Sequence, residues 1–228
     1  MKRKIFTACM ALAAVALLVI AVVLPGCNSD EPEPEPNMQT ARFQLSSFEG
    51  RLRYDANAQG FYQEDDETYG YSAKIVDSKT DEIVQVCSER PSIPYHEIKD
   101  PSGMAPEDEP QVYETIMTAT CQIGTAGDVP LYAQVSVWAE VSVSSEGREV
   151  TKVTGLEQYP LDAYNLDAAG IYLVDDELPT TSLQVQIHGM ARPLGSGEKD
   201  APDFEDFPYK ADVVFEMVQD HDKTVTAL

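Results

Sequence analysis

Four cysteines, three histidines and a large excess of carboxylates are the groups in this 228-residue sequence whose reactivity suits chemistry. Cys87 and Cys121 are an even pair, each near the end of a stretch with strand character. A disulfide between them would close a loop of about 35 residues and stabilise the fold by roughly 3–4 kcal/mol in the chain-entropy view. Two free, buried thiols are the alternative, and a redox pair is disfavoured because no Cys-x-x-Cys spacing exists. His96 opens "HEIKD", but position 100 is Asp100, so the His-x-x-x-His spacing of a zinc protease is missing. His188 falls on the polar side of an alternating stretch, and His221 lies in the C-terminal tail. The sequence has no Gly-x-Ser-x-Gly elbow, no P-loop and no dinucleotide fingerprint. Glycoside hydrolysis needs two carboxylates at a set separation. With 39 acidic residues, spacing along the chain selects no pair. No catalytic residue is therefore assigned, and a hydrolase built on an unrecognised carboxylate site is an alternative reading.

Binding chemistry is better represented. Tyr132, Gln134, Trp138 and Glu140 fall on the polar side of the most regular stretch in the chain. Aromatic rings beside hydrogen-bonding side chains suit the stacking of a sugar or the grip of a protein partner. The bland alternative is that Trp138 covers a neighbouring strand. Acidic clusters recur at 64–67, 107–109, 175–177 and 203–206. Calcium takes several loop oxygens, so these are conceivable ligands for a calcium-stabilised adhesion module, although none has the EF-hand layout with its glycine. No other cofactor is expected.

The elements that must position these groups are strands. From Ala41 onward the apolar period is two. Leu131, Ala133, Val135, Val137, Ala139, Val141 and Val143 share one side of "LYAQVSVWAEVSV", and polar residues the other. "SSEG" at Ser144–Gly147 then reads as a turn, with Arg148–Thr154 as the returning strand. Similar alternation marks Tyr69–Ile75, Leu183–His188 and Tyr209–Met217, with further strands at Ile83–Ser88 and Val112–Ile123 and shorter ones at Phe43–Leu52 and Ile171–Val174. The remaining candidate for a helical turn lies at Leu161–Ala169. Hairpin spacing and the lack of crossover helices predict an all-β, antiparallel β-sandwich, immunoglobulin-like or similar, over residues 41–228. "GTAGD" at Gly124–Asp128 is the one place where it could divide into two smaller sandwiches. "DAAGIY" at Asp167–Tyr172 resembles the tyrosine corner of immunoglobulin-like domains, with a spacing one residue longer.

The formal net charge is −23. Such a surface repels phosphate backbones and anionic headgroups, which argues against a nucleic-acid partner. The basic groups Lys2, Arg3 and Lys4 precede the uncharged run Ile5–Leu24, and Pro25 and Gly26 end it. This is the layout of a secretory signal over residues 1–26. Leu24-Pro25-Gly26-Cys27 resembles the lipobox of bacterial lipoproteins. That resemblance implies that the Cys27 thiol takes a diacylglycerol and that cleavage before it leaves Cys27 as the acylated first residue. An uncleaved span is the alternative, since the run is long enough to cross a bilayer; both put the folded part outside. Residues 27–40 then form an acidic, Pro-rich linker, its Glu-Pro repeats extended over about 40 Å at ~3.1 Å per residue. Asn28, Ser29, Asp30 and Glu31 resemble the acidic surface-export tag of Bacteroidetes lipoproteins. The bacterial outer membrane or cell surface is the expected location, and the outer face of a Gram-positive cell membrane the alternative. The sequence thus predicts a non-catalytic, lipid-anchored domain that binds or assembles with a surface protein or glycan.

Overall fold

The computed structural model describes residues 35–66, 70–126, 129–161, 164–193 and 206–219. The signal, the lipobox with Cys27, most of the linker, His221 and most of the 203–206 acidic cluster lie outside these residues. Among the described residues no helix is long and apolar enough to cross a membrane.

Among the described residues eleven strands run in chain order: β1 Met38–Gln44, β2 Phe48–Asp55, β3 Gln59–Asp66, β4 Gly70–Asp77, β5 Ile83–Pro91, β6 Gln111–Ala126, β7 Val129–Ser144, β8 Gly147–Pro160, β9 Tyr164–Leu173, β10 Ser182–Pro193 and β11 Phe207–Met217. They form a six-stranded sheet, β3-β4-β5-β6-β7-β8, and a five-stranded sheet, β1-β2-β11-β10-β9. All pairings are antiparallel. The six-stranded sheet is a meander, its strands neighbouring one another in chain order, with β5 and β6 joined by the longer segment 92–110. At the β7–β8 turn, Gly147 adopts a φ of 137°, a conformation open to glycine but strained for residues with a Cβ.

The two sheets pack face to face through the alternating residues predicted from sequence. Ala133, Val135, Val137 and Ala139 of β7 are fully or almost fully buried, as are Leu183, Val185 and Ile187 of β10 and Phe215 and Met217 of β11. The chain is an all-β, antiparallel sandwich. Two edge contacts help close its sides. Gln63 of β3 donates to the Gln44 carbonyl of β1 at 2.9 Å. Gln158 of β8 donates to the Gly170 carbonyl of β9 at 3.0 Å and accepts from the Tyr209 hydroxyl of β11 at 3.0 Å. Gly124 and Thr125 sit inside paired strands, β6 and β7 running together as far as Ala126 opposite Val129. Residues 92–110, including two short 3-10 turns, fold over one end of β6 and β7. Ile93, Ile98 and Met104 pack there on Tyr113, Val141 and Val143.

Four local readings change. The stretch Phe43–Leu52 is two strands, because Ser46 and Ser47 turn the chain and the Leu45 N–H bonds the Phe48 carbonyl at 2.8 Å. Gln59–Asp66 is an edge strand whose acidic end hid its pattern. The helical turn expected within Leu161–Ala169 is the start of β9, where pairing with β10 overrides local preference. Tyr172 makes no tyrosine corner of the expected kind: its hydroxyl donates to the Gln186 side chain on the neighbouring strand.

Candidate functional site

The binding candidates on β7 alternate along one side of the strand but differ in exposure, and Gln134 and Trp138 line separate hollows. Tyr132 is only 9% exposed, and its hydroxyl accepts from Gln85 Nε2 at 3.4 Å. Gln134 lines a hollow of about 410 Å³ with Ser72, Ser88 and Thr118. Those three hydroxyls belong to one cross-strand row, Glu64-Ser72-Ser88-Thr118-Ser136-Glu157, which traverses all six strands of the sheet. Trp138 lines a different hollow of about 270 Å³, with Arg90, Glu114 and Thr154. Its ring lies against Gly155 on β8, where an added Cβ would come within 3.2 Å of it. An aromatic ring laid over a cross-strand glycine restores the contact that glycine lacks. Glu140 accepts from the Thr151 hydroxyl at 3.2 Å.

Cys87 and Cys121 are free thiols in this structure. The register explains why they do not face each other. Cys87 stands opposite Ala119, and Cys121 opposite Ala133, so the two cysteines are diagonal rather than directly paired. Burial pushes both thiols up to about 12, which holds them protonated and poorly nucleophilic.

Sequence reasoning missed Glu89, which is 2% exposed between the sheets. Its carboxylate accepts from the Ser47 N–H at 2.7 Å, from the Ser47 hydroxyl, and from the Thr115 hydroxyl at 3.1 Å. The Tyr113 hydroxyl stands 2.5 Å from Ser47 Oγ; with the serine proton committed to Glu89, the tyrosine donates. Burial raises the Glu89 pKa above its ordinary value, opposed by the Ser47 and Thr115 hydrogen bonds and by the charge of Arg148. Both carboxyl oxygens are occupied, so the arrangement ties the β1–β2 turn to β5 and β6. No signal of spacing or composition could have singled out this acid among so many.

The most open feature lies in the five-stranded sheet. β11 pairs with β10 from Phe207 to Glu216. On its other side it meets β2 only at Glu216 and Met217. From Phe215 back to Phe207 that edge of β11 has no strand partner among the described residues. At the point of divergence is a groove of about 930 Å³, walled by Glu49, Gly50 and Arg51 of β2, Val214 and Glu216 of β11, and Phe43 of β1. Val214 is 46% exposed, a large apolar side chain on the open strand. Arg42 faces Arg51 directly across the β1–β2 pair, and Arg53 follows two residues on. Like charges directly opposed repel. Three guanidinium groups thus sit on one hairpin of a chain whose net charge is −23.

Among the described residues no group of three or more His, Cys, Asp or Glu side chains is placed to hold a metal ion. Glu177 and Asp175 instead form a local turn, the Glu177 N–H bonding Asp175 Oδ1 at 3.1 Å. His96 is exposed beside Glu97, and His188 packs against Tyr172. No protein-family model, curated protein or solved structure matches the chain.

Proposed function

We propose that this chain is a lipid-tethered, extracytoplasmic binding module that docks an extended, acidic segment of a partner protein along β11. The observation that carries the reading is the two-residue contact between β2 and β11, which leaves a strand edge open beside a groove. An incoming strand would satisfy the free backbone groups of β11, extending the sheet. Alternating side chains divide their roles: apolar residues point toward the core, and carboxylates meet Arg42, Arg51 and Arg53. In this reading an acyl group on Cys27 supplies the membrane tether.

The test uses an alternating Glu-Val octapeptide against its Lys-Val counterpart. The reading expects saturable binding of the Glu-Val peptide that weakens with salt and with the pair Arg42→Glu and Arg51→Glu. Equal binding of the Lys-Val peptide, or no binding of either, would refute it. Binding that appears only after residues 28–34 are deleted would identify the chain's own linker as the occupant. A concentration-dependent dimer in sedimentation would identify a second copy.

A further inference from the structure

We propose that the hollow beside Arg148 is a binding site for a small monocarboxylate with a flat apolar body. It is separate from the β11 edge and does not depend on it. Arg148 opens β8 and is 9% exposed. Its backbone is fixed on both sides: its N–H donates to the Val218 carbonyl at 3.1 Å, and its own carbonyl accepts from Gln219 Nε2 at 2.8 Å. Among the described residues the guanidinium makes one hydrogen bond, from Nη2 to the Lys99 carbonyl at 3.3 Å. Nε is buried and has no hydrogen-bond partner among the described residues. No carboxylate among those residues lies within the 4.0 Å of an ion pair with it. The charges of Glu89 and Asp100 act on this guanidinium, but a buried Nε–H with no acceptor is costly unless something accepts from it.

The surroundings say what that something is. Arg148 lines a hollow of about 350 Å³ together with Leu45, Tyr71, Tyr95, Ile98 and Asp100. This is the size of a small-molecule site, and its lining is mixed, with the polar Gln44 and Ser46 beside the aromatic rings. The Tyr71 and Tyr95 rings are 3.7 Å apart by their centroids. The Tyr95 hydroxyl is held at both ends, accepting from the Tyr71 N–H at 2.6 Å and donating to the Glu89 carbonyl at 3.1 Å. These walls are preorganised to take a flat apolar group. The guanidinium fork matches a carboxylate with two parallel N–H bonds. Asp100, fixed by the Ser102 N–H at 3.0 Å and the Ser102 hydroxyl at 2.9 Å, places a negative charge in the same hollow. It repels a second negative charge on a ligand, so the site favours a monocarboxylate over phosphate or sulfate.

Benzoate is the probe, with benzamide and inorganic phosphate as controls, added to the full chain in detergent. The Arg148 Nε–H resonance, read by nitrogen NMR, should shift saturably with benzoate and stay fixed with the controls. Arg148→Lys should weaken benzoate binding at least about tenfold, because the ammonium lacks the fork. Asp100→Asn should tighten benzoate and let phosphate bind. This second variant keeps the test decisive even where Arg148→Lys fails to fold. An unmoved Nε–H resonance in saturating benzoate, or an equal response to benzamide, overturns the proposal.

Discussion

Glu89 shows how a single side chain joins two sheets at an electrostatic cost. Burial raises its pKa, so the proton is held more tightly in the folded than in the unfolded chain. The sign follows: the stabilisation that goes with this protonation is complete below the ordinary Glu pKa and is lost as pH rises through the folded value. Glu89→Gln should therefore flatten part of the fall in melting temperature between acid and neutral pH, measured as the difference between variant and parent. A parallel pair of melting curves would contradict the assignment. Cys87 and Cys121 give a second prediction at this scale. With burial pushing both thiols up to about 12, they should resist a thiol reagent at pH 8 and react when denaturant unfolds the chain. Immediate labelling of both, or none in denaturant, would show that the thiols are exposed or already bonded. Neither the Glu89 cluster nor the hollow beside Arg148 was visible in the sequence. Each is assembled from residues far apart in the chain, and nothing local marks a buried acid among 39 acidic residues.

Individual strands were far more legible. The β7 alternation is strict because its inward residues are all covered, Ala133–Ala139 in the core between the sheets and Val141 and Val143 by the 92–110 segment, and the buried run follows the predicted side residue by residue. β3 and the first half of β9 escaped because their sequences, QGFYQEDD and YNLDAAG, are rich in Asp, Asn, Glu and Gly, residues with little strand preference of their own. The most consequential single aromatic contact lies where β2 and β11 touch. Phe48 is 2% exposed and meets Phe215 edge-on at 5.2 Å and Phe43 at 6.1 Å. Phe48→Ala should cost about 3–5 kcal/mol of stability in denaturant unfolding. It should also loosen the head of the groove, since Phe48 pairs with Met217 in the short β2–β11 ladder. A loss below about 1 kcal/mol would mean that the junction is not a packed part of the core.

For the molecule as a whole, a charge of −23 keeps the chain apart from its own copies and makes the basic β1–β2 hairpin stand out. The proposed function rests this charged domain on a lipid at Cys27. Cys27→Ser should abolish metabolic labelling with a palmitate analogue and release the chain from the membrane fraction; undiminished labelling would place the acyl group elsewhere. The most direct test of the proposed function is hydrogen exchange along β11, with and without the Glu-Val octapeptide. The account predicts that open-side amides between Phe207 and Phe215 exchange fast in the free chain and become protected when the peptide binds. Protection already complete in the free chain, or exchange unchanged by the peptide, would contradict it.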